Sequence, residues 1–403
     1  MKLKSRRHFI WTSAIWTSGA LATAWGVHRL WPHPEPPLAT PLADSETTRL
    51  FLGASYKTQK AAQYDLSSAG AFAFRIDERG RRLQQFPISV PAHSVNPIPH
   101  LPHRALAVSS RTGLASLIDW REQKEVRRLE LPDGHVLQGH VVYRSRPDGT
   151  STALISASQR RGSRMAHGRL IEVELENLQI VQSHPLEAGF PHEMLAIGHD
   201  HIVMGMAGLQ RSGSRFGVHD AVSGKIEKLP SLFEIDEWRG MAHFILIQDS
   251  SPSQTSTTLP RWSIWSSNTR RSQKLVDPAL VFLDLQSLRA DKFMFPDELR
   301  QSELLSMVYH PNTGQVWGTL PDLNKAFVFD VDSRRLIKVL DFPYRVTFAG
   351  LGATGPRNVI LGGGAHFSIW DAEKLEKLDE QSPLAIISPS AEFNISHLRE
   401  AAS

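Results

Sequence analysis

Residues Lys325–Pro343 read KAFVFDVDSRRLIKVLDFP. Ala326–Val331 is rich in Phe and Val, the composition of a buried strand. Asp330 closes that run, a short polar turn follows, and Leu336–Leu340 resumes a strand pattern. The same form recurs along the chain. Ala71–Ile88 (AFAFRIDERGRRLQQFPI), Ala115–Pro132 (ASLIDWREQKEVRRLELP) and Gly168–Leu186 (GRLIEVELENLQIVQSHPL) carry it. So do Pro278–Pro296 (PALVFLDLQSLRADKFMFP) and His366–Glu380 (HFSIWDAEKLEKLDE). The copies are spaced by roughly 40–50 residues, the period of propeller blades.

Outward from these units the chain stays strand-like. Short apolar runs alternate with Asp-Gly, Ser-Gly and Asn-Thr-Gly turn signals, and sustained helical periodicity is scarce. Arg289–Leu304 is the expected short helical or irregular exception. The pattern predicts an all-β chain with a single seven-bladed β-propeller over residues 49–398. The blades fall near 49–91, 92–136, 137–190, 191–230, 231–300, 301–343 and 344–381. The fifth is the weakest, because Ser250–Lys274 is polar and Ser/Thr-rich and reads as an exposed insertion. Leu384–Leu398, with Ala385-Ile386-Ile387-Ser388, is expected to add a strand to the first blade. That would close the ring, since an open ring leaves an unpaired edge.

The chain opens with an address. Ser5-Arg6-Arg7-His8-Phe9-Ile10 resembles the twin-arginine export motif, and an uncharged stretch follows to Val27. Residues 1–30 are thus expected to be a signal peptide or membrane anchor, and 31–48 a Pro-rich linker. The protein is expected in the periplasm, held at the inner membrane if the segment is uncleaved. Lys2, Lys4, Arg6, Arg7 and Arg29 supply the apparent basicity of the whole. Without them 40 basic and 41 acidic residues remain, which argues against a nucleic-acid partner. Cysteine is absent, so iron–sulfur clusters, disulfides and covalent c-type haem are excluded.

Gly139–Ser158 (GHVVYRSRPDGTSTALISAS) and the segment Gly168–Leu209, with Pro191-His192-Glu193, resemble bacterial domain-of-unknown-function family 1513. Gly139-His140, Tyr143, Asp148-Gly149 and Pro191-His192-Glu193 match its pattern. Leu305-Ser306-Met307 is similar to a later element, but Val308-Tyr309 stands where that family has Arg-His. The resemblance implies an exported propeller of the YVTN and amine-dehydrogenase heavy-chain type. It implies no established activity, and only a contextual link to iron uptake.

Histidines open several blades: His93 in VPAHSVN, His140 in LQGHVVY and His192 in GFPHEML. Equivalent positions on inner strands converge on the central channel. His93, His140, His192 and Glu193 are therefore the candidate axial-face residues. Three imidazoles and a carboxylate suit iron, copper or zinc. They equally suit hydrogen bonds that fix neighbouring blades, and the sequence leaves both readings open. His199 and His201 fall in a hairpin turn at the far end, and His100, His103, His135 and His167 are peripheral. No G-x-S-x-G elbow is present, and Gly362-Gly363-Gly364 reads as a close-packed turn. The expected function is a binding or accessory module for a periplasmic protein partner or small ligand. The alternative is a metal- or cofactor-dependent oxidoreductase or lactonase-like hydrolase.

Overall fold

The computed structural model describes residues 49–57, 70–77, 80–101, 103–110, 112–145, 150–161, 164–186, 190–197, 201–207, 215–220, 226–228, 243–247, 262–272, 275–284, 289–351, 357–363, 366–381 and 393–401. The export motif with Arg6 and Arg7, and the linker, lie outside these residues. Among the described residues there is no α-helix, only two short 3-10 turns at Asp297–Leu299 and Pro321–Leu323. The strands form seven four-stranded antiparallel sheets in a β-propeller arrangement.

The acidic residue of the repeat has a local task. Asp119 accepts hydrogen bonds from the backbone N–H groups of Arg121 and Glu122 at 3.1 and 2.8 Å. Asp371 does the same for Glu373 and Lys374, both at 2.9 Å, and Asp330 for Ser333 at 2.7 Å. Each carboxylate folds the chain back on itself after the third strand of a sheet. The turn then leaves through a left-handed residue: Gln123, Arg334 and Leu375 have φ of 54°, 55° and 56°.

Each sheet has two faces to hide, and its neighbours hide them. Leu106, Val108 and Leu117 of the second sheet pack with Leu137, Ile155 and Ile171 of the third. Val142, Leu154 and Leu170 of the third meet Met194, Ile202 and Met204 of the fourth. Phe282 of the fifth packs with Phe327 and Phe329 of the sixth, and Trp317 of the sixth with Val359, Leu361 and Trp370 of the seventh. Phe51 of the first sheet meets Phe367 of the seventh at 4.8 Å between ring centroids.

One strand of each sheet lies innermost. From the second sheet to the seventh these are Ala92–Pro97, His135–Ser145, Phe190–Ile197, Phe244–Ile247, Met307–His310 and Phe348–Leu351. The strand Phe393–Ala401 lies between the innermost strands of the seventh and second sheets and pairs with Arg49–Lys57. It therefore runs later than Ala385-Ile386-Ile387-Ser388, which fall outside the described residues. Its register slips between Gly53 and Ser55, which breaks the alternation by which a strand is recognised.

The fifth sheet corrects one expectation. Trp262–Ser272, read from the sequence as part of an exposed insertion, is a strand between Phe244–Ile247 and Leu275–Asp284. Ser263, Ile264 and Ser266 are fully buried. The sheet is covered on both faces, so small serines fill positions where an alternating pattern would show apolar residues.

Candidate functional site

Residues on or just before the inner strands build the site. His93, His140 and His192 each stand at a β-bulge. The ladder between the first two strands of the second sheet shifts between Ala92 and Ser94. It shifts between Leu137 and Val141 in the third, and between Pro191 and Met194 in the fourth. A bulge takes a residue out of the pleat and re-aims its side chain, here toward the channel.

The carbonyls released by these bulges are met by serines. The Ser94 hydroxyl donates to the Gly139 carbonyl at 2.7 Å, and the Ser156 hydroxyl to the His140 carbonyl at 3.2 Å. In the fifth sheet the Ser266 N–H and hydroxyl both donate to the His243 carbonyl, at 3.0 and 3.3 Å. Gly139 has φ +87°, and a Cβ there would lie 2.4 Å from Cδ2 of His93. Only glycine lets the third sheet's bulge pass beside that imidazole.

The rings converge edge to face. Centroids are 4.5 Å apart for His140 and His192, 4.7 Å for His192 and His243, and 6.1 Å for His140 and His243. One nitrogen from each of these three rings lies within 4.8 Å of the others. His93 stands outside this trio, with its ring 5.8 Å from that of His140. Glu193 spans two of the three. Its Oε2 is 3.1 Å from Nδ1 of His243, and its Oε1 is 3.5 Å from Nδ1 of His140. The His192 ring makes no side-chain hydrogen bond to another described residue.

Burial shapes the charges. It acts against the Glu193 carboxylate, but His140 and then His243, by charge and hydrogen bond, outweigh it and hold its pKa well below the usual carboxylate range. Burial also acts against protonation of His192, and His140 and His243 reinforce it, so this imidazole's pKa falls well below its ordinary value. The result is a neutral imidazole with a lone pair beside a fixed carboxylate.

The site opens into a cavity of about 350 Å³. Inner strands of six sheets line it, with Ser94, His140, Glu193, His243, Ser306 and Ala349 among the lining residues. The polar mouth is one-sided. The second to fifth sheets place histidine there, while the sixth offers Ser306, whose hydroxyl accepts the Ala349 N–H at 3.1 Å.

His243 is absent from the residues singled out in the sequence. Its signal was present: Ala242-His243-Phe244-Ile245 has the form of Ala92-His93-Ser94-Val95 and Gly139-His140-Val141-Val142. The peripheral histidines sit elsewhere. His201 pairs with Ile197 at the far end of its strand, and His103 contacts Arg121 and the Trp120 ring. Met204 is buried in the core between the third and fourth sheets. Gly362 and Gly363 end a strand, where a Cβ on Gly363 would lie 2.1 Å from the Arg345 carbonyl oxygen.

Fold and site together define a β-propeller with a histidine-lined channel mouth. No protein-family model matches the chain, and no curated protein matches it. Among solved structures it is similar to hydrazine synthase of Kuenenia stuttgartiensis, with a TM-score of 0.56 at 10% identity. The match covers 79% of this chain and 93% of that one. At that identity the likeness concerns the fold alone.

Proposed function

We propose that this chain is an exported, periplasmic, seven-bladed propeller that serves as a binding module, taking a small ligand at the mouth of its central channel. One observation carries the reading. Residues from three separate sheets, His140, Glu193 and His243, line a cavity of about 350 Å³, and the His192 ring clusters with the two histidines. That volume falls in the range of small-molecule sites, which commonly pair an apolar wall with a few convergent polar groups. Seven sheets with adjoining inner strands support the blade count. Arg6 and Arg7 support export, and Gly139-His140 and Pro191-His192-Glu193 support placement with domain-of-unknown-function family 1513. The link to iron uptake rests on that resemblance.

A second reading, a metal-dependent oxidoreductase or lactonase-like hydrolase, draws on the same convergence of imidazoles and a carboxylate. The binding reading is preferred because, among the described residues that line the cavity, most are apolar or serine and the titratable groups are those of the channel mouth itself.

The test is native mass spectrometry of the full chain isolated from periplasm, beside an Ala349→Trp variant that fills the cavity. A small bound species present on the wild type and lost from the folded variant is expected. An identical species on both proteins, or none on either, would overturn the channel-mouth reading.

A further inference from the structure

We propose that His140, His192 and His243 ligate one divalent transition-metal ion, with Glu193 orienting two of them. This rests on the channel-mouth reading and names the chemistry of that site.

The geometry needs little adjustment. Three nitrogens 4.8 Å apart, the outer limit observed, lie about 2.8 Å from a common centre, and closing to ~2.1 Å moves each ring by about 0.7 Å. Small rotations about χ1 and χ2 within a rotamer well supply that. The three ligands come from three different sheets, held by two bulges and by the two Ser266 hydrogen bonds to the His243 carbonyl. The metal would thus be set by the rigid part of the fold rather than by a loop.

Glu193 supplies what such a site needs behind its ligands. With its two oxygens at Nδ1 of His140 and His243, it selects the tautomers that carry the proton there. The Nε2 lone pairs of both rings are then directed away from the carboxylate. This is the carboxylate–histidine–metal relation common around imidazole ligands. His192 joins them as an imidazole whose ring makes no side-chain hydrogen bond to another described residue, packed edge to face between His140 and His243. His93 packs against Gly139 and His140 and acts as a buttress outside the ligand set.

The donor set also selects the metal. Three imidazoles without thiolate suit zinc, copper, iron or nickel over magnesium or calcium. Three neutral rings and one carboxylate leave a divalent ion with one positive charge. Its open coordination position would face the cavity, where solvent or a small anion completes the shell.

The experiment is isothermal titration of the chelator-treated full chain with zinc, repeated with cobalt as a spectroscopic probe. One ion per chain is expected, with affinity reduced more than 100-fold in His140→Ala, His192→Ala and His243→Ala. His93→Ala should stay within about 3-fold, and Glu193→Gln should weaken binding ~10–100-fold without abolishing it. Circular dichroism identifies any variant that fails to fold. His192→Gln, which keeps a polar side chain of similar reach, then replaces His192→Ala. No stoichiometric binding by the wild type would overturn the proposal, as would equal loss in His93→Ala or zinc binding that survives His192→Gln. If the metal-free protein still takes up its small ligand and Ala349→Trp still blocks it, the metal proposal fails alone and the channel-mouth reading stands.

Discussion

Replacing Glu172 by Gln should remove an acid-sensitive brace from the third sheet. Glu172 lies in the strand Arg164–Glu174 and is fully buried. Arg144 donates to its Oε1 from Nη2 at 2.7 Å and from Nε at 3.2 Å, and the Thr152 hydroxyl donates to the same oxygen at 3.0 Å. His184 Nε2 lies 3.6 Å from Oε2. One residue from each of the sheet's four strands thus meets in a single polar group. Burial acts against the charge, but His184, Arg144 and Thr152 outweigh it and lower the pKa from 4.5 to about 2. At 1.36 kcal/mol per unit this shift corresponds to about 3 kcal/mol of stability. The folded pKa lies below the unfolded one, so the contribution is complete above pH 4.5 and is lost as pH falls through about 2. Glu172→Gln should therefore be about 3 kcal/mol less stable than the wild type at pH 7, because Arg144 keeps its charge without a counter-ion. The difference should shrink steadily between pH 5 and pH 2. Urea denaturation of both proteins at several pH values measures it. Parallel stability curves across that window would refute the reasoning, since the other carboxylates are common to both proteins.

Three further outcomes follow, two from the fold and one from the sequence. Gly139→Ala should destabilise the fold by about 1–3 kcal/mol, through contact with His93 and positive φ, and lower the thermal midpoint. Ending the chain at residue 390 removes the strand Phe393–Ala401 and exposes the edge of Arg49–Lys57, so size-exclusion chromatography should show aggregates in place of monomer. The proposed export by the twin-arginine route is tested by replacing Arg6 and Arg7 with Lys, which should remove the protein from the periplasmic fraction.

The propeller arrangement was legible because its punctuation is chemical. Asp119, Asp330 and Asp371 sit at the same place in each repeat because the turn after the third strand needs a side-chain acceptor there. The fifth sheet was harder to read because its second strand is polar by composition. Trp262–Ser272 reads as a serine-rich loop until Phe244–Ile247 and Leu275–Asp284 are seen on either side. That gap also hid His243, whose place depends on Ser266 in the obscured strand. Register within the repeat would have found it, since a histidine lies on or beside the inner strand in four consecutive sheets. Glu193 was legible as a residue but not as a bridge, because its two partners lie 53 and 50 positions away in sequence.

The histidine cluster can also be a brace for the ring, and stability separates the two roles. A bracing histidine contributes through hydrogen bonds, and losing one leaves a buried partner unsatisfied. His140 and His243 meet that description, because each contacts Glu193. His192 does not: it packs between two other imidazoles and its ring makes no side-chain hydrogen bond to another described residue. Half-burying a polar ring with no side-chain hydrogen bond among the described residues is a cost, and a leucine of similar volume would remove it. His192→Leu should therefore match or exceed the wild type in the stability of the metal-free protein, by up to about 1 kcal/mol. His140→Leu should fall below it, because Glu193 loses one of its two partners. Chemical denaturation in the presence of chelator gives both values. A loss at His192→Leu as large as that at His140→Leu would assign the whole cluster to holding the ring. A gain at His192→Leu would instead mark a residue kept at a cost to stability, the pattern the proposed ligand role requires.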